Sequence, residues 1–173
     1  MKDYLSFETD RLWMIPTSRK DAAFIYELMS SPKWIHFIGD RKIHSKEDAE
    51  EYIGIKMRPQ LERLGFAVYT LIRKSDQVKI GICSLVDREE LEGIDLGYAL
   101  LPDYEGAGYA LEASIKMIAV GFEEFGLTNL YAITNPNNIA SQKLLLKLGF
   151  NSIGDLRLAD EKIPDRLFEL KRD

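Results

Sequence analysis

The chain has 173 residues, 46% hydrophobic and 29% charged, a length and balance that predict one folded unit and exclude a disordered or fibrous protein. Its formal charge of −5 argues against the broad basic face that phosphate-backbone binding requires, so nucleic acid is not an expected partner. The lone cysteine, Cys83, excludes an internal disulfide, and set in "KIGICSLV" it reads as a buried strand residue rather than a nucleophile. The amino terminus lacks a signal-peptide pattern, and no stretch reaches the roughly 20 apolar residues of a membrane helix, so a cytoplasmic protein without a membrane partner is expected.

No repeat, low-complexity tract or flexible linker interrupts the sequence, and a single domain over residues 1–173 is expected. "LSFETDRLWMIP" has the broken alternation of a first strand, and "RKDAAFIYELMSS" follows with Ala22, Ile25, Tyr26 and Met29 at helical spacing. "SKEDAEEYIGIKMRPQLERLG" predicts a second helix, capped by the Ser45 and Asp48 pattern and bent or divided by Gly54 and Pro59. "FAVYTLIR", "VKIGICSLV" and "GIDLGYAL" are three strands, which short polar links make antiparallel neighbours. After Gly108 the period changes: Leu111, Ile115, Ile118, Phe122 and Phe125 mark one face of a helix that ends near Gly126. "NLYAITN" is another strand, "NIASQKLLLKLG" a helix stopped by Gly149, and "FNSIGDLRL" with "RLFELKR" a closing hairpin. The predicted order is β-α-α-β-β-β-α-β-α-β-β, a mixed α/β fold.

The turn "YEGAGYALEAS" runs from Tyr104 into the helix. A Gly-rich turn at a helix amino terminus aims backbone N–H groups one way, at the positive end of the helix dipole, and so makes an anion site. Gly106 and Gly108 leave the approach bare and Ala107 and Ala110 intrude little, which suits a diphosphate; a tight turn in which glycine only supplies positive φ is the other reading. A Walker loop would need Gly-Lys-Ser/Thr, and a dinucleotide fold a third glycine and parallel βαβ repeats, and neither is present.

Three segments together resemble the GNAT superfamily of N-acetyltransferases and, within it, the RimJ/RimL-type branch: "ETDRLWMIP", "DLGYALLPDYEGAGYALEA" and "NPNNIASQKLLLKLGF". The resemblance spans nearly the whole chain. It implies an α/β (α+β) GNAT fold: a mixed, mostly antiparallel twisted sheet flanked by helices, with a splayed strand pair that binds acetyl-CoA. The family's phosphate loop, Gln/Arg-x-x-Gly-x-Gly/Ala, falls on Glu105, Gly106, Ala107, Gly108, Tyr109 and Ala110. Glu105 stands where a neutral or cationic side chain is usual, and Ala107 where Lys or Arg is frequent. A screened carboxylate beside a diphosphate is repulsive by on the order of 1 kcal/mol, so weakened CoA binding is expected. The resemblance further implies that the backbone of Tyr98 and Leu100 pairs with the pantetheine arm, that the Tyr98 N–H stabilises the oxyanion, and that Asn138 bonds the pantetheine. Asn138 has a helix-cap reading as well, with Asn137 competing for that role.

Acetyl transfer from a thioester to an amine needs a deprotonated amine, a stabilised oxyanion and a proton for the thiolate, and no covalent enzyme intermediate. The family's usual tyrosine acid falls here on Leu145, while Ser141, one turn after Asn138, matches the branch's serine and is placed to bond the sulfur. Glu92 and Asp95 are the candidate bases. Alternation puts Glu92 on the face of Ile94, Leu96 and Tyr98 and Asp95 on the other, which favours Glu92 by geometry, whereas Asp95 better matches the branch's carboxylate. Trp34, His36, Phe37 and Tyr52 are candidate walls of the acceptor pocket, ordinary core packing being the plainer reading of each. His36 and His44 lack nearby matching ligands, so no metal is expected. The resemblance implies an acetyl-CoA-dependent enzyme acting on a primary amine of a peptide amino terminus or a small molecule, and is compatible with a homodimer. The alternative is a noncatalytic CoA-binding sensor or assembly module, which Glu105, Ala107 and Leu145 keep open.

Overall fold

Apolar alternation draws eight segments into strands: β1 (Phe7–Glu8), β2 (Leu12–Pro16), β3 (Val68–Arg73), β4 (Val78–Asp87), β5 (Ile94–Leu100), β6 (Asn129–Thr134), β7 (Asn151–Leu156) and β8 (Asp165–Lys171). In the computed structural model, which describes residues 3–159 and 161–173, they form one sheet of order β1-β2-β3-β4-β5-β6-β8-β7. Every neighbouring pair is antiparallel except β5 and β6. The broken alternation of the first strand has a simple cause: a tight turn, closed by Thr9 N–H donating to Leu12 O at 2.9 Å, folds it into the β1/β2 hairpin.

Between β2 and β3 lie α1 (Ala22–Met29), α2 (Pro32–Phe37), α3 (Lys46–Tyr52) and α4 (Arg58–Leu64); α5 (Tyr109–Glu123) joins β5 to β6, and α6 (Ile139–Lys147) joins β6 to β7. The short α2 departs from the predicted order. Ser31 caps it through Trp34 N–H, with Pro32 in its first turn. The long predicted helix is divided as Gly54 and Pro59 require: Ser45 caps α3, a π-type turn covers Ile53–Met57, and Pro59 sits in the first turn of α4. No helix among the described residues is long and apolar enough to cross a membrane.

Two apolar clusters flank the sheet. One joins α5 to Leu12, Met14, Tyr69 and Leu71, and the other joins α1 and α3 to Val68, Ile82 and Leu101. The inner face of α5 is not the large-residue stripe of the sequence reading. Ala113, Ser114, Met117, Val120 and Gly121 are buried, while Ile115 is 56% exposed. Small side chains let the helix axis approach the sheet, and the larger apolar residues flank that contact.

The decisive feature for a site is the relation of β5 to its two neighbours. β4 pairs with it along seven residues, from Gly81↔Leu100 to Asp87↔Ile94, whereas β6 meets it in parallel at Asp95↔Tyr131 alone. Leu101 N–H donates to Ile80 O at 2.8 Å, which sets the phase of the β4/β5 ladder. Hydrogen-bonded pairs alternate along antiparallel strands, so the main chains of Ala99 and Gly97 face β4, and those of Leu100 and Tyr98 face the gap left by β6.

A close approach of β4 to β5 supports this gap. A Cβ on Gly81 would strike the Ala99 carbonyl oxygen and stand 3.0 Å from Leu100 Cα. Gly81→Ala should therefore cost about 2 kcal/mol of stability, read as a lower denaturation midpoint at unchanged slope. An unchanged midpoint would show that the ladder is free to shift.

Candidate active site

The Gly-rich turn has both properties that the sequence left as alternatives. Gly106 and Gly108 adopt φ of 77° and 83°, the left-handed region, and a Cβ at Gly106 would meet no atom within 4 Å, so the turn is strained for other residues and bare toward solvent. Gly108 is the N-cap of α5 and supplies no side-chain cap, which leaves first-turn amides without intrahelical partners. Arg11 braces the turn from the β1/β2 hairpin. Its Nη1 donates to Ala107 O at 3.0 Å, its Nε to Glu112 Oε2 at 2.6 Å, and its guanidinium lies 4.2 Å from the Tyr109 ring centre. Against the burial of Glu112, hydrogen bonds from Thr9 and Arg11 hold its carboxyl below the usual range. A fixed cation thus stands beside Ala107, where the family pattern often has one in the loop itself. Glu105 is not left bare either: Lys33 Nζ lies 2.7 Å from its Oε2.

Two cavities open along β5. The first, of about 490 Å³, runs from Glu105, Gly106 and Tyr109 to Tyr98, Asn138 and Ser141. The second, of about 480 Å³, is walled by Tyr52, Arg88, Asp95 and Thr134. Both touch Trp34, Phe37, Tyr98, Asn138 and Ser141, so the two spaces meet at one septum beside the β5/β6 gap.

At the septum the Tyr98 hydroxyl lies 3.0 Å from Ser141 Oγ and donates to the Ser141 carbonyl at 3.2 Å. Burial pushes the phenol up to about 12, so it keeps its proton at neutral pH. Asn138, not Asn137, caps α6: its Oδ1 accepts from Ser141 N–H at 3.2 Å, while Asn137 N–H donates to Asn135. The cap and the cavity wall are the same residue. Leu145 is buried in the core.

In the second cavity, Asp95 is 2% exposed and its Oδ2 lies 2.5 Å from Arg88 Nε, while its Oδ1 has no hydrogen-bond partner. Burial raises this carboxyl to about 6 against the opposing pull of Arg88. The main-chain N–H of Ile133 also acts to lower it.

A family model described as an acetyltransferase (GNAT) domain matches residues 11–151. The chain belongs to the GNAT family of N-acetyltransferases. An uncharacterized N-acetyltransferase of Bacillus subtilis, YoaA, is 29% identical over 152 residues, covering 87% of this chain and 85% of that one. Among solved structures, an acetyltransferase from Agrobacterium tumefaciens superposes with a TM-score of 0.82 at 20% identity, over 99% of this chain and 97% of that one. RimL, a ribosomal L7/L12 α-N-protein acetyltransferase solved with coenzyme A, superposes at 0.83 with 12% identity, over 96% and 98%. At these identities the structures establish a shared fold. GNAT acetyltransferases take acetyl-CoA as donor, and the bare turn, the cavity beneath it and the unpaired edge of β5 fit such a ligand.

Against that GNAT frame, the residues singled out in the sequence divide. Tyr98, Leu100, Asn138, Ser141 and the turn from Glu105 to Ala110, apart from Ala107, line the first cavity, and Trp34, Phe37, Tyr52 and Asp95 line the second. Two of the candidates lie apart from both cavities. Glu92 is exposed in the bend before β5 and lines neither cavity, because the second cavity opens on the face that Asp95 shares with Gly97 and Ala99. His36 is exposed on α2, edge-on to Phe37 with ring centres 4.6 Å apart, and also lines neither. Sequence reasoning missed Arg11, Lys33, Arg88 and the Tyr98 hydroxyl. Arg88 alone carried a local signal, seven residues from Asp95 across a hairpin. Among the described residues, no three His, Cys, Asp or Glu side chains gather as metal ligands.

Arg11 is 43% exposed, so its loss should change stability by less than about 1 kcal/mol. Its effect should be local. Arg11→Ala is expected to speed amide hydrogen exchange at residues 106–109 without altering exchange in β3 and β4; unaltered exchange in the turn would rule out the brace.

Proposed function

We propose that the chain transfers the acetyl group of acetyl-CoA to a primary amine, on a peptide amino terminus or a small molecule, by direct attack. The observation that carries this reading is the septum: one cavity leads to it from the anion-binding turn, the other from a buried carboxylate, and both end at Tyr98 and Ser141. The RimJ/RimL-type branch is supported by the three sequence segments and by the likeness to the fold of RimL, whose substrate is a ribosomal-protein amino terminus. A single catalytic unit over residues 1–173, working in the cytoplasm, agrees with both.

The donor supplies an activated acetyl thioester; the rest is done by side chains and main chain. Gly106, Gly108 and the first-turn amides of α5 receive the diphosphate, with Arg11 adding positive charge beside Ala107. Main-chain groups of Tyr98 and Leu100 hold the pantetheine arm in the β5/β6 gap, and the Asn138 amide bonds it from α6. The amine enters through the second cavity. Asp95, ionised at neutral pH, removes its proton through water, and the Tyr98 N–H donates to the carbonyl oxygen as charge develops there. The departing sulfur accepts a hydrogen bond from the Ser141 and Tyr98 hydroxyl pair, which stabilises it as a thiolate in the role left by Leu145, and the amine's proton leaves by way of Asp95 and water. The features that kept a noncatalytic reading open, Glu105, Ala107 and Leu145, thus each have a compensating neighbour.

Calorimetric titration tests the donor. Micromolar acetyl-CoA affinity is expected, Asn138→Ala should weaken it, and absence of binding at millimolar concentration would overturn the reading. Ser141→Ala and Tyr98→Phe should lower kcat by about 10- to 100-fold with donor affinity little changed, an effect of the size seen for acid–base groups.

The pH profile tests Asp95. The base works only when ionised, so kcat/KM should fall as pH drops through about 6. Asp95→Asn should abolish that limb. Arg88→Gln removes the charge that favours the carboxylate, so the limb should move to higher pH. A profile unaffected by either substitution would exclude Asp95 as base.

A further inference from the structure

We propose that Lys33 is a ligand of the donor's diphosphate, delivered from α2, and that Glu105 holds it in reserve and competes for it; the proposal rests on the acetyl-CoA reading above. Lys33 Nζ and Glu105 Oε2 are 2.7 Å apart, and both residues line the first cavity together with Gly106, Gly108 and Tyr109. Lys33 therefore reaches, across 72 residues of sequence, the opening residue of the anion-binding turn. The two side chains are 46% and 34% exposed, so their mutual pairing contributes little and is cheaply exchanged. A diphosphate beside the turn offers more negative charge than one carboxylate, and a lysine ammonium on its flexible stem follows that charge over a few ångströms. On donor entry Lys33 leaves Glu105 for the diphosphate, and Glu105 turns to solvent. No bond is made or broken; only ion-pair partners change. The same exchange accounts for a carboxylate tolerated at a phosphate site: its repulsion of the ligand is limited because it is solvated, and its effect is to lower affinity by competition for Lys33.

A double-mutant cycle separates this from a fixed pair in which Lys33 merely masks Glu105. Affinities for acetyl-CoA, dephospho-CoA and S-acetylpantetheine are measured by calorimetry for the wild type, Lys33→Ala, Glu105→Gln and the double variant. All four should unfold at similar temperatures, since both positions are at the surface. Glu105→Gln should tighten acetyl-CoA binding about threefold, and Lys33→Ala should weaken it about threefold in the wild type and about tenfold in the Glu105→Gln background. The same pattern should hold for dephospho-CoA, which keeps the diphosphate and lacks the 3′-phosphate, and vanish for S-acetylpantetheine, which has neither. If Lys33→Ala has no effect once Glu105 is Gln, Lys33 only masks the carboxylate. If the loss is equal for S-acetylpantetheine, Lys33 acts by packing α2, and if it is absent for dephospho-CoA, the 3′-phosphate is its partner; each result overturns the proposal. A wild type that binds acetyl-CoA without this pattern refutes the role of Lys33 alone, whereas a wild type that binds no CoA species removes the functional reading beneath it.

Discussion

The site depends on a missing set of backbone hydrogen bonds. β5 is fully paired with β4 but touches β6 at one residue, so the N–H and C=O groups of Tyr98 and Leu100 face a gap. Backbone polar groups at a sheet interior are ordinarily paired, and leaving them open is costly unless something else bonds them. A pantetheine arm carries amide groups of the same kind, so in the proposed reading it is what would complete the sheet where β6 has withdrawn. The helices serve the same gap: α5 brings its amino terminus to one end, α6 sets Asn138 and Ser141 at its side, and α2 closes the far wall with Trp34 and Phe37.

Charge around the turn is arranged by parts of the chain far from it. The loop has lost the cation usual at Ala107 and gained a carboxylate at Glu105, and read alone it looks impaired. Arg11 is 96 residues from Ala107 and Lys33 is 72 from Glu105, yet each sits against the position that departs from the family pattern. Both cations are carried on short elements outside the loop, Arg11 in the β1/β2 hairpin turn and Lys33 on α2. A charge acts through its position and not through sequence order, so cations on neighbouring elements stand beside a loop that carries none of its own.

Elements whose physics is local were legible in the sequence, and those set by distant partners were not. The strands β3 to β6, the caps of α3 and α6 and the closing hairpin follow from alternation, capping side chains and glycine stops, all within a few residues. The inner face of α5 was misread because hydrophobic size suggested Ile115 and Leu111, whereas a close helix-to-sheet contact selects Ala113 and Gly121. Alternation along β5 was read correctly, yet it favoured Glu92, because nothing in a strand reveals which of its faces a cavity will open on. The six residues of α2 carry too little periodicity to announce a helix, and with it went the only sign of Lys33 as a neighbour of the turn.

Burial sorts the ionisable groups of the β4/β5 ladder by function. Cys83 and Tyr98 face one another in register, and burial pushes both up to about 12, so neither exchanges a proton freely at neutral pH. Cys83 is thereby inert as a nucleophile, which suits direct attack. Tyr98 keeps its hydrogen at neutral pH. Asp95 experiences the same desolvation, but it begins from a far lower value and is held down by Arg88, and so it comes to about 6. One physical effect, applied in one direction to three side chains, leaves a thiol and a phenol protonated at neutral pH and a carboxyl near 6 on a single pair of strands.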